Sequence, residues 1–298
     1  MISLLNALLT RAIVPCALLM LAPTTPLLAQ GIPGAPKQRE PQSGEDAVKV
    51  SVAVVGTVAP NATVRIVATF DIIPSWHIYW TNPGQSGAPT RLKFTLPDGC
   101  VLATNPDGTP AIDFPLPTIF THGETTFGYE KSVTISAAVK LPATIPSGGL
   151  PATVRSSWLV CKEICLMGRG ESSIDLSKPV AADSKAAVAL KASLAHTPIP
   201  LPASWKMAYS QAKELSAVLV IEAPTSVGAD SQWQFIPNDT PGVSLETGYL
   251  AAGTGRTLVL PLSISRPSAG DRPLALAGLL ILGKNGPAYS FTIPVPAP

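Results

Sequence analysis

The sequence has little charge. Only 13% of its 298 residues are Asp, Glu, Lys or Arg, about half the share usual in soluble domains. The 21 basic and 19 acidic residues leave a net charge of +2 and form no run of one sign. A chain without a basic stripe gives little support to a nucleic-acid partner or to a protein held electrostatically at a membrane surface.

Helix-compatible stretches are also scarce, because 32 prolines and 23 glycines are spread along the chain. Each proline removes a backbone N–H donor and clashes with the preceding helical turn. An all-helical fold is therefore excluded, and many short strands joined by turns are favoured. Only the alanine-rich segment from Asp183 to His196 has the composition of a helix, and it precedes prolines at 198, 200 and 202.

Apolar runs of membrane-spanning length are absent, and the main apolar block lies at the N-terminus. Arg11 is the only charge in the first thirty residues, and the apolar stretch 12–22 ends at a Pro-containing segment before Ala29. The block is shorter than the ~20 residues of a transmembrane helix and has the form of a secretory signal peptide. We expect cleavage after about Ala29 and an exported, soluble mature protein; the alternative is an uncleaved anchor.

Alternating apolar residues indicate half-buried strands on both sides of a break between Leu176 and Pro202. Turn residues separate these segments at the spacing of β-sandwiches. The predicted fold is all-β, with two β-sandwich domains joined by a short Ala/Pro-rich linker. The predicted order is a signal peptide (1–29), a disordered leader (30–46), a first sandwich (47–180), a linker (181–202) and a second sandwich (203–298).

Cysteine is rare, and one of the four cysteines, Cys16, lies in the predicted signal peptide. The odd number that remains indicates a free thiol or a redox-active pair. Cys161 ends one predicted strand, and the strand pattern resumes after Cys165 at Ile174 and Leu176, so the two cysteines lie at the tip of a predicted hairpin, close enough for a disulfide. Cys100 is predicted to be a half-buried free thiol.

A disulfide between Cys161 and Cys165 suits exchange better than stabilisation. A bridge closing so short a loop contributes ~2 kcal/mol, against ~4 kcal/mol for one closing about sixty residues between Cys100 and Cys161. A bridge on a short exposed hairpin is also within reach of a partner thiolate. A permanent local staple in a non-catalytic interaction domain stays open as an alternative.

A copper site is a second alternative at the same place. Thiolate and thioether ligands select Cu(I), and Met167 follows the cysteine pair closely. His77 or His122 could supply a further ligand, although neither has a fixed spacing from the pair. The candidate Cu(I) ligands are Cys161, Cys165 and Met167.

Three motifs follow one another along the first half of the chain. They are the stretch from Trp76 to Thr90 (WHIYWTNPGQSGAPT), Phe127-Gly128-Tyr129-Glu130, and the stretch from Trp158 to Cys165 (WLVCKEIC). In this order they resemble the periplasmic N-terminal domain of the DsbD-type thiol:disulfide interchange family, in its ScsB-like branch. The resemblance extends roughly from Val48 to Leu176 and departs from the family after Cys165, where relatives commonly carry an Ile-Pro-Glu-like run.

This resemblance implies an immunoglobulin-like sandwich in which Cys161 and Cys165 are the redox pair of a protein-disulfide reductase-like domain. A membrane-embedded thiol reductase is expected to reduce the pair, and the pair to reduce disulfides of periplasmic client proteins. No cofactor is expected, because the chemistry is thiolate attack through a mixed disulfide. The family's membrane and thioredoxin-like domains are not found before Pro298, so a separate reductant is expected. Copper tolerance and cytochrome c biogenesis are the processes that the resemblance implies.

Aromatic residues of the three motifs are candidates for a pocket or lid that shields the disulfide from stray thiols. A lid would come from Phe120, Phe127 and Tyr129, with a turn at Asn82-Pro83-Gly84 placing the first motif. The alternative is that the aromatic residues pack the sandwich core, where buried Trp and Tyr still need polar partners. The pocket or lid candidates are Tyr79, Trp80, Phe127, Tyr129 and Trp158.

Overall fold

The computed structural model describes residues 40–105, 108–121, 123–213, 215–238, 242–265, 275–283 and 286–294. The predicted signal peptide, most of the predicted leader, Cys16 and His122 lie outside the described residues. Neither helix of the described part has the length and apolarity that a membrane span requires.

The elements confirm the all-β prediction, since the described chain contains twenty strands and two helices. In chain order they are α1 (Gly44–Ala47), β1 (Val48–Val55), β2 (Thr63–Ile72), β3 (His77–Gly84), β4 (Arg91–Thr95), β5 (Val101–Leu102), β6 (Ile112–Asp113), β7 (Thr118–Phe120), β8 (Thr126–Glu130), β9 (Ser132–Lys140), β10 (Pro151–Cys161), β11 (Cys165–Asp175), α2 (Lys185–Ala195), β12 (Ile199–Pro200), β13 (Lys206–Lys213), β14 (Ser216–Glu222), β15 (Gln232–Pro237), β16 (Val243–Leu245), β17 (Ala251–Thr254), β18 (Thr257–Ile264), β19 (Ala275–Leu282) and β20 (Ala288–Pro294).

The first eleven strands form two sheets. One has the order β1-β2-β9-β5, with β6 also paired to β9. The other, which we call the cysteine sheet, has the order β11-β10-β3-β8-β7, with β4 also paired to β10. Alternate residues of each strand point into a shared apolar core, where the ring of Phe70 packs edge-on against Trp158 at a centroid distance of 5.7 Å.

The last nine strands form two further sheets, with orders β12-β20-β19-β15-β17 and β13-β14-β18-β16. Their core contains the stacked rings of Phe235 and Phe291, with centroids 5.4 Å apart. Alternation in the segments 217–223, 231–236, 256–264, 274–282 and 289–295 predicts β14, β15, β18, β19 and β20 to within a residue or two, but it does not reveal β13, β16 or β17. The latter two are short, and β13 carries polar residues between its apolar ones.

The segment predicted as a linker is more ordered than a loose connection. Its helix α2 spans 11 residues, and the Ser184 side chain caps it by accepting a hydrogen bond from the Ala187 N–H. Leu190 is buried, and the Ser193 hydroxyl donates to the Thr134 carbonyl of β9 at 2.6 Å. The helix therefore packs against the first pair of sheets.

The two pairs of sheets touch each other within one compact unit that begins at Pro41. Ile236, Leu279 and Ile281 of the second pair join the apolar core of the first. The buried Asn82 side chain donates to the Pro237 carbonyl and accepts from the Gly84 N–H. The turn predicted at Asn82-Pro83-Gly84 lies within β3, where the pairing with β8 is interrupted between Tyr79 and Gly84. The hydrogen bond from the Gly84 N–H to the Asn82 side chain closes a local Asx turn there. The predicted domain boundaries stay predictions.

A candidate redox site at the edge of the cysteine sheet

The cysteine pair closes a long β-hairpin. Strands β10 and β11 pair in antiparallel register from Pro151 opposite Asp175 to Cys161 opposite Cys165. A three-residue loop joins them, and the Lys162 N–H donates to the Ile164 carbonyl at 3.0 Å. The predicted hairpin tip is confirmed, and it holds a disulfide with an S–S distance of 2.04 Å and a Cα–Cα distance of 4.2 Å.

The two sulfur-bearing residues differ in exposure. Cys161 is only 3% exposed, whereas Cys165 is exposed. Topology explains the difference, since Cys161 lies between β11 and β3, whereas Cys165 begins the outermost strand of the sheet. A partner thiolate can therefore reach the exposed Cys165 at the tip of the hairpin, beyond the part of β11 that α1 contacts.

A row of four residues crosses the cysteine sheet at the disulfide. Cys161 lies opposite both Cys165 and His77, and His77 lies opposite Glu130. Directly opposite residues share one face of a sheet, with Cβ atoms about 5 Å apart. The order across the outer face is therefore Glu130, His77, Cys161 and Cys165.

Two aromatic rings flank His77 on this outer face. Its imidazole contacts the ring of Tyr79 edge-on at 5.0 Å and the ring of Phe120 at 5.1 Å, measured between centroids. Gly87 lies against Tyr79, and a Cβ there would come within 2.3 Å of the Tyr79 ring. The backbone of the loop after β3 thus covers Tyr79, which only a glycine at φ +102° permits.

Four of the five pocket or lid candidates lie on the opposite, inner face. Trp80, Phe127, Tyr129 and Trp158 all belong to the buried core, and only Tyr79 shares the face of the disulfide. Phe127 is wholly buried with its ring edge-on to Trp80 at 6.5 Å, and the Tyr129 hydroxyl donates to the Pro115 carbonyl at 2.7 Å. Period-two alternation is the reason, because neighbours along a strand point to opposite faces. The lid prediction is corrected accordingly: Phe127 and Tyr129 are core residues.

Phe120 and His77 lie near the disulfide on its face of the sheet. Sequence reasoning names Phe120 as one of three lid residues and His77 only as an optional copper ligand. Alternation along Trp76 to Trp80 places His77 and Tyr79 on one face, but nothing local reveals that His77 pairs with Cys161.

Met167 lies on the same outer face as the disulfide. It stands opposite Leu159 and two residues after Cys165, and it is 57% exposed. The described residues contain no cluster of three or more His, Cys, Asp or Glu side chains arranged to hold a metal ion. A soft-ligand site here would therefore depend on the thioether together with the reduced thiols.

Cys100 is confirmed as a half-buried free thiol. It precedes β5 in the other sheet, and burial raises its pKa above the ordinary value. A raised pKa keeps this thiol protonated and unreactive at neutral pH.

The titration of His77 is expected to affect stability. Burial lowers its pKa below the ordinary 6.5, and the nearby charge of Glu130 raises it by a smaller amount. The unfolded chain then binds a proton more readily than the folded one, so the contribution of His77 is present above pH ~6.5 and is lost as pH falls below it. We expect His77→Gln to reduce the loss of unfolding free energy on acidification, measured by urea unfolding at neutral and mildly acidic pH. His196→Gln, at an exposed histidine, is the matched control; the same pH dependence in all three proteins would contradict the prediction.

The chain is similar to a protein family and to a solved periplasmic domain. Residues 40–176 match the family model described as thiol:disulfide interchange protein DsbD, N-terminal. The solved N-terminal periplasmic domain of ScsB from Proteus mirabilis has a similar fold, with a TM-score of 0.59 and 18% identity over 86% of this chain and 96% of that one. The Enterococcus faecalis MSCRAMM ACE reaches a TM-score of only 0.21 at 12% identity, over 84% of this chain and 94% of that one. No curated protein matches the sequence.

Proposed function

Because residues 40–176 form a DsbD-type N-terminal domain, we propose that this protein exchanges disulfides with protein partners through Cys161 and Cys165. One observation carries the proposal: the disulfide lies at the sheet edge with one buried and one exposed cysteine. In such a bridge an incoming thiolate can reach only the exposed sulfur, and the buried sulfur remains available to resolve a mixed disulfide.

The proposed reaction begins when a thiolate of a dithiol reductant attacks the Cys165 sulfur. The Cys161–Cys165 bond breaks, a mixed disulfide forms between the reductant and Cys165, and Cys161 leaves as a thiolate that takes up a proton. The second thiol of the reductant loses its proton and attacks the first sulfur of the reductant in the mixed disulfide, which releases Cys165 as a thiolate that takes up a proton. The pair is then a dithiol and the reductant a disulfide, so two electrons have been transferred.

The second half of the proposed cycle runs in the opposite direction. The Cys165 thiolate attacks a client disulfide, and Cys161 resolves the mixed disulfide, which restores the bridge and leaves the client reduced. His77 lies directly opposite Cys161 in the strand register, and in the proposed cycle it donates a hydrogen bond to the Cys161 thiolate. Burial lowers the pKa of His77, which favours its neutral form at neutral pH.

The proposed location is the periplasm, with a membrane-embedded thiol reductase as electron source and disulfide-bearing periplasmic proteins as clients. The similar ScsB domain is described as periplasmic, and the N-terminal block of this chain has the form of a signal peptide. Disulfides persist in such an oxidising compartment.

The reduction potential of the pair tests the proposal. The full chain carrying Cys16→Ser and Cys100→Ser, which leaves the pair as the thiols to be counted, is equilibrated with dithiothreitol or glutathione buffers and alkylated. We expect a potential well above about −300 mV, the region below which structural disulfides typically lie. A bridge that stays oxidised in those buffers would contradict exchange. The alternative of a structural disulfide in a non-catalytic interaction domain would then hold.

Cu(I) binding is a second candidate function, supported by the exposed Met167 on the face of the cysteine pair. Thioether and thiolate sulfur atoms suit Cu(I). Only the reduced pair provides thiolates, so titration with Cu(I) should show binding by the reduced protein and little by the oxidised one. Equal binding by both forms would exclude this second function.

A further inference from the structure

The outer face of the cysteine sheet carries a cluster of basic side chains beyond the disulfide. Two rows of opposite residues form it: Arg91, Ser157 and Arg169 in one, and Lys93, Arg155 and Glu171 in the other. The same residues line an open groove on this face. We call it the basic groove and define it by Arg91, Lys93, Arg155 and Arg169.

The charges of the basic groove are only partly neutralised. Arg155 pairs with Glu171 at 2.7 Å. At the edge of the sheet the Glu45 carboxylate accepts a hydrogen bond from the Arg169 backbone N–H, again at 2.7 Å, and this bond lowers the pKa of Glu45. Within the described residues no carboxylate forms an ion pair with Arg91, Lys93 or Arg169.

This is a local concentration of charge in a chain that has little. Four cations face two carboxylates, Glu171 and Glu45, so the groove has a net charge of +2. That value equals the net charge of the entire chain. The remaining charges of the sequence therefore sum to zero, and the groove is a local excess of positive charge.

The groove and the disulfide lie on one continuous surface. Along the hairpin the outward pairs are Cys161 with Cys165, then Leu159 with Met167, then Ser157 with Arg169, then Arg155 with Glu171. At about 3.4 Å per residue, the two basic rows lie ~14 and ~20 Å from the disulfide. A partner interface of ~800 Å² centred on Cys165 has a radius of ~16 Å and reaches the nearer row.

We propose that the basic groove docks an acidic surface of the protein partner, with carboxylates ~14–20 Å from the partner's reactive cysteine. The inference rests on the proposed function and names the kind of partner it serves. The exposed Met167 and Ile164, 57% and 58% accessible, provide apolar contact at the disulfide, while the cations at the rim set the association rate and the choice of partner. Salt weakens this contribution, because the Debye length is ~8 Å at physiological ionic strength.

Two matched peptides test the proposal on the full chain carrying Cys16→Ser and Cys100→Ser. Each contains one cysteine, a spacer of about four residues, and a block of glutamates in one peptide or of lysines in the other. We expect the glutamate peptide to form a mixed disulfide with the protein about fivefold faster at low salt. The preference should disappear in the double variant Arg91→Gln/Arg169→Gln and at high salt. Lys49→Gln/Lys140→Gln, at exposed positions of the other sheet, removes the same charge and should keep the preference.

The outcomes separate this inference from the function on which it rests. Reduction by uncharged dithiothreitol should be equal in every variant; a pair that dithiothreitol cannot reduce overturns the proposed function itself. Normal reduction without a charge preference overturns only the docking proposal, as does a preference that survives Arg91→Gln/Arg169→Gln. Binding to anionic phospholipid vesicles that is lost in that variant, with no preference between the peptides, would assign the groove to a membrane surface instead.

Discussion

In the variant Cys161→Ser, the remaining thiol of Cys165 should react rapidly with an aromatic disulfide reagent. In Cys165→Ser, the remaining thiol of Cys161 should react on the order of a hundredfold more slowly, because a buried group reacts only after local opening of the structure. Cys165 begins the outermost strand and is exposed, whereas Cys161 is 3% exposed between two strands. Both variants should also carry Cys16→Ser and Cys100→Ser, and stopped-flow absorbance follows the released thiolate. Neither single-cysteine protein can complete a dithiol–disulfide cycle.

Urea-unfolded samples of the same two variants provide the control for this comparison. Unfolding removes the difference in burial and leaves only the intrinsic reactivity of each thiol next to its sequence neighbours. The hundredfold ratio should shrink towards one. If the folded proteins instead react at equal rates, or Cys161 reacts faster, the assignment of Cys165 as the attacked sulfur is wrong.

Replacing Phe127 by alanine should destabilise the protein by about 3–5 kcal/mol, the usual result of removing a fully buried phenylalanine ring. Phe127 is wholly buried and packs edge-on against Trp80 on the core side of the cysteine sheet. Its loss leaves a cavity that the surrounding rings fill only in part. The measurement is urea unfolding, and the folded variant should be reduced by dithiothreitol at the wild-type rate.

Phe120→Ala is the matched substitution on the other face and should give the reverse pattern. Its half-buried ring lies against His77, the residue opposite Cys161, so its removal opens the aromatic cover beside the disulfide. We expect a several-fold faster reduction by dithiothreitol and a loss of stability smaller than that of Phe127→Ala. A faster reaction in Phe127→Ala, with no change in Phe120→Ala, would mean that Phe127 shields the disulfide and would contradict this assignment.

Phe120 and Phe127 show what the alternation of apolar residues can predict about the site and what it cannot. The sequence pattern predicts no strand at 126–130, but once β8 is known, alternation makes its two aromatic residues share a face. It does not say which face is buried and which carries the disulfide, because that depends on where the second sheet lies. Only the packing of Phe127 against Trp80, and of Phe120 against His77, assigns the first to the core and the second to the site.

Asn82 shows a different limit of local reasoning. The run Asn-Pro-Gly is typical of a turn, and within β3 the Asn82 side chain accepts from the Gly84 N–H where the pairing with β8 is interrupted. What the run does not reveal is the long-range contact, in which the buried Asn82 amide donates to the Pro237 carbonyl, 155 residues away in the sequence.

The sequence by itself determined the all-β fold, the hairpin that joins Cys161 to Cys165, and the family of residues 40–176, because alternation, turn residues and short motifs are local properties of a chain. Tertiary structure alone decided which sulfur is exposed, that His77 faces Cys161, and that Arg91, Lys93, Arg155 and Arg169 meet in one groove. These cations are dispersed in the sequence, which predicts no basic patch. Strand pairing between distant segments brings them together, and the register of such pairing depends on the burial of the whole sheet and not on any one segment.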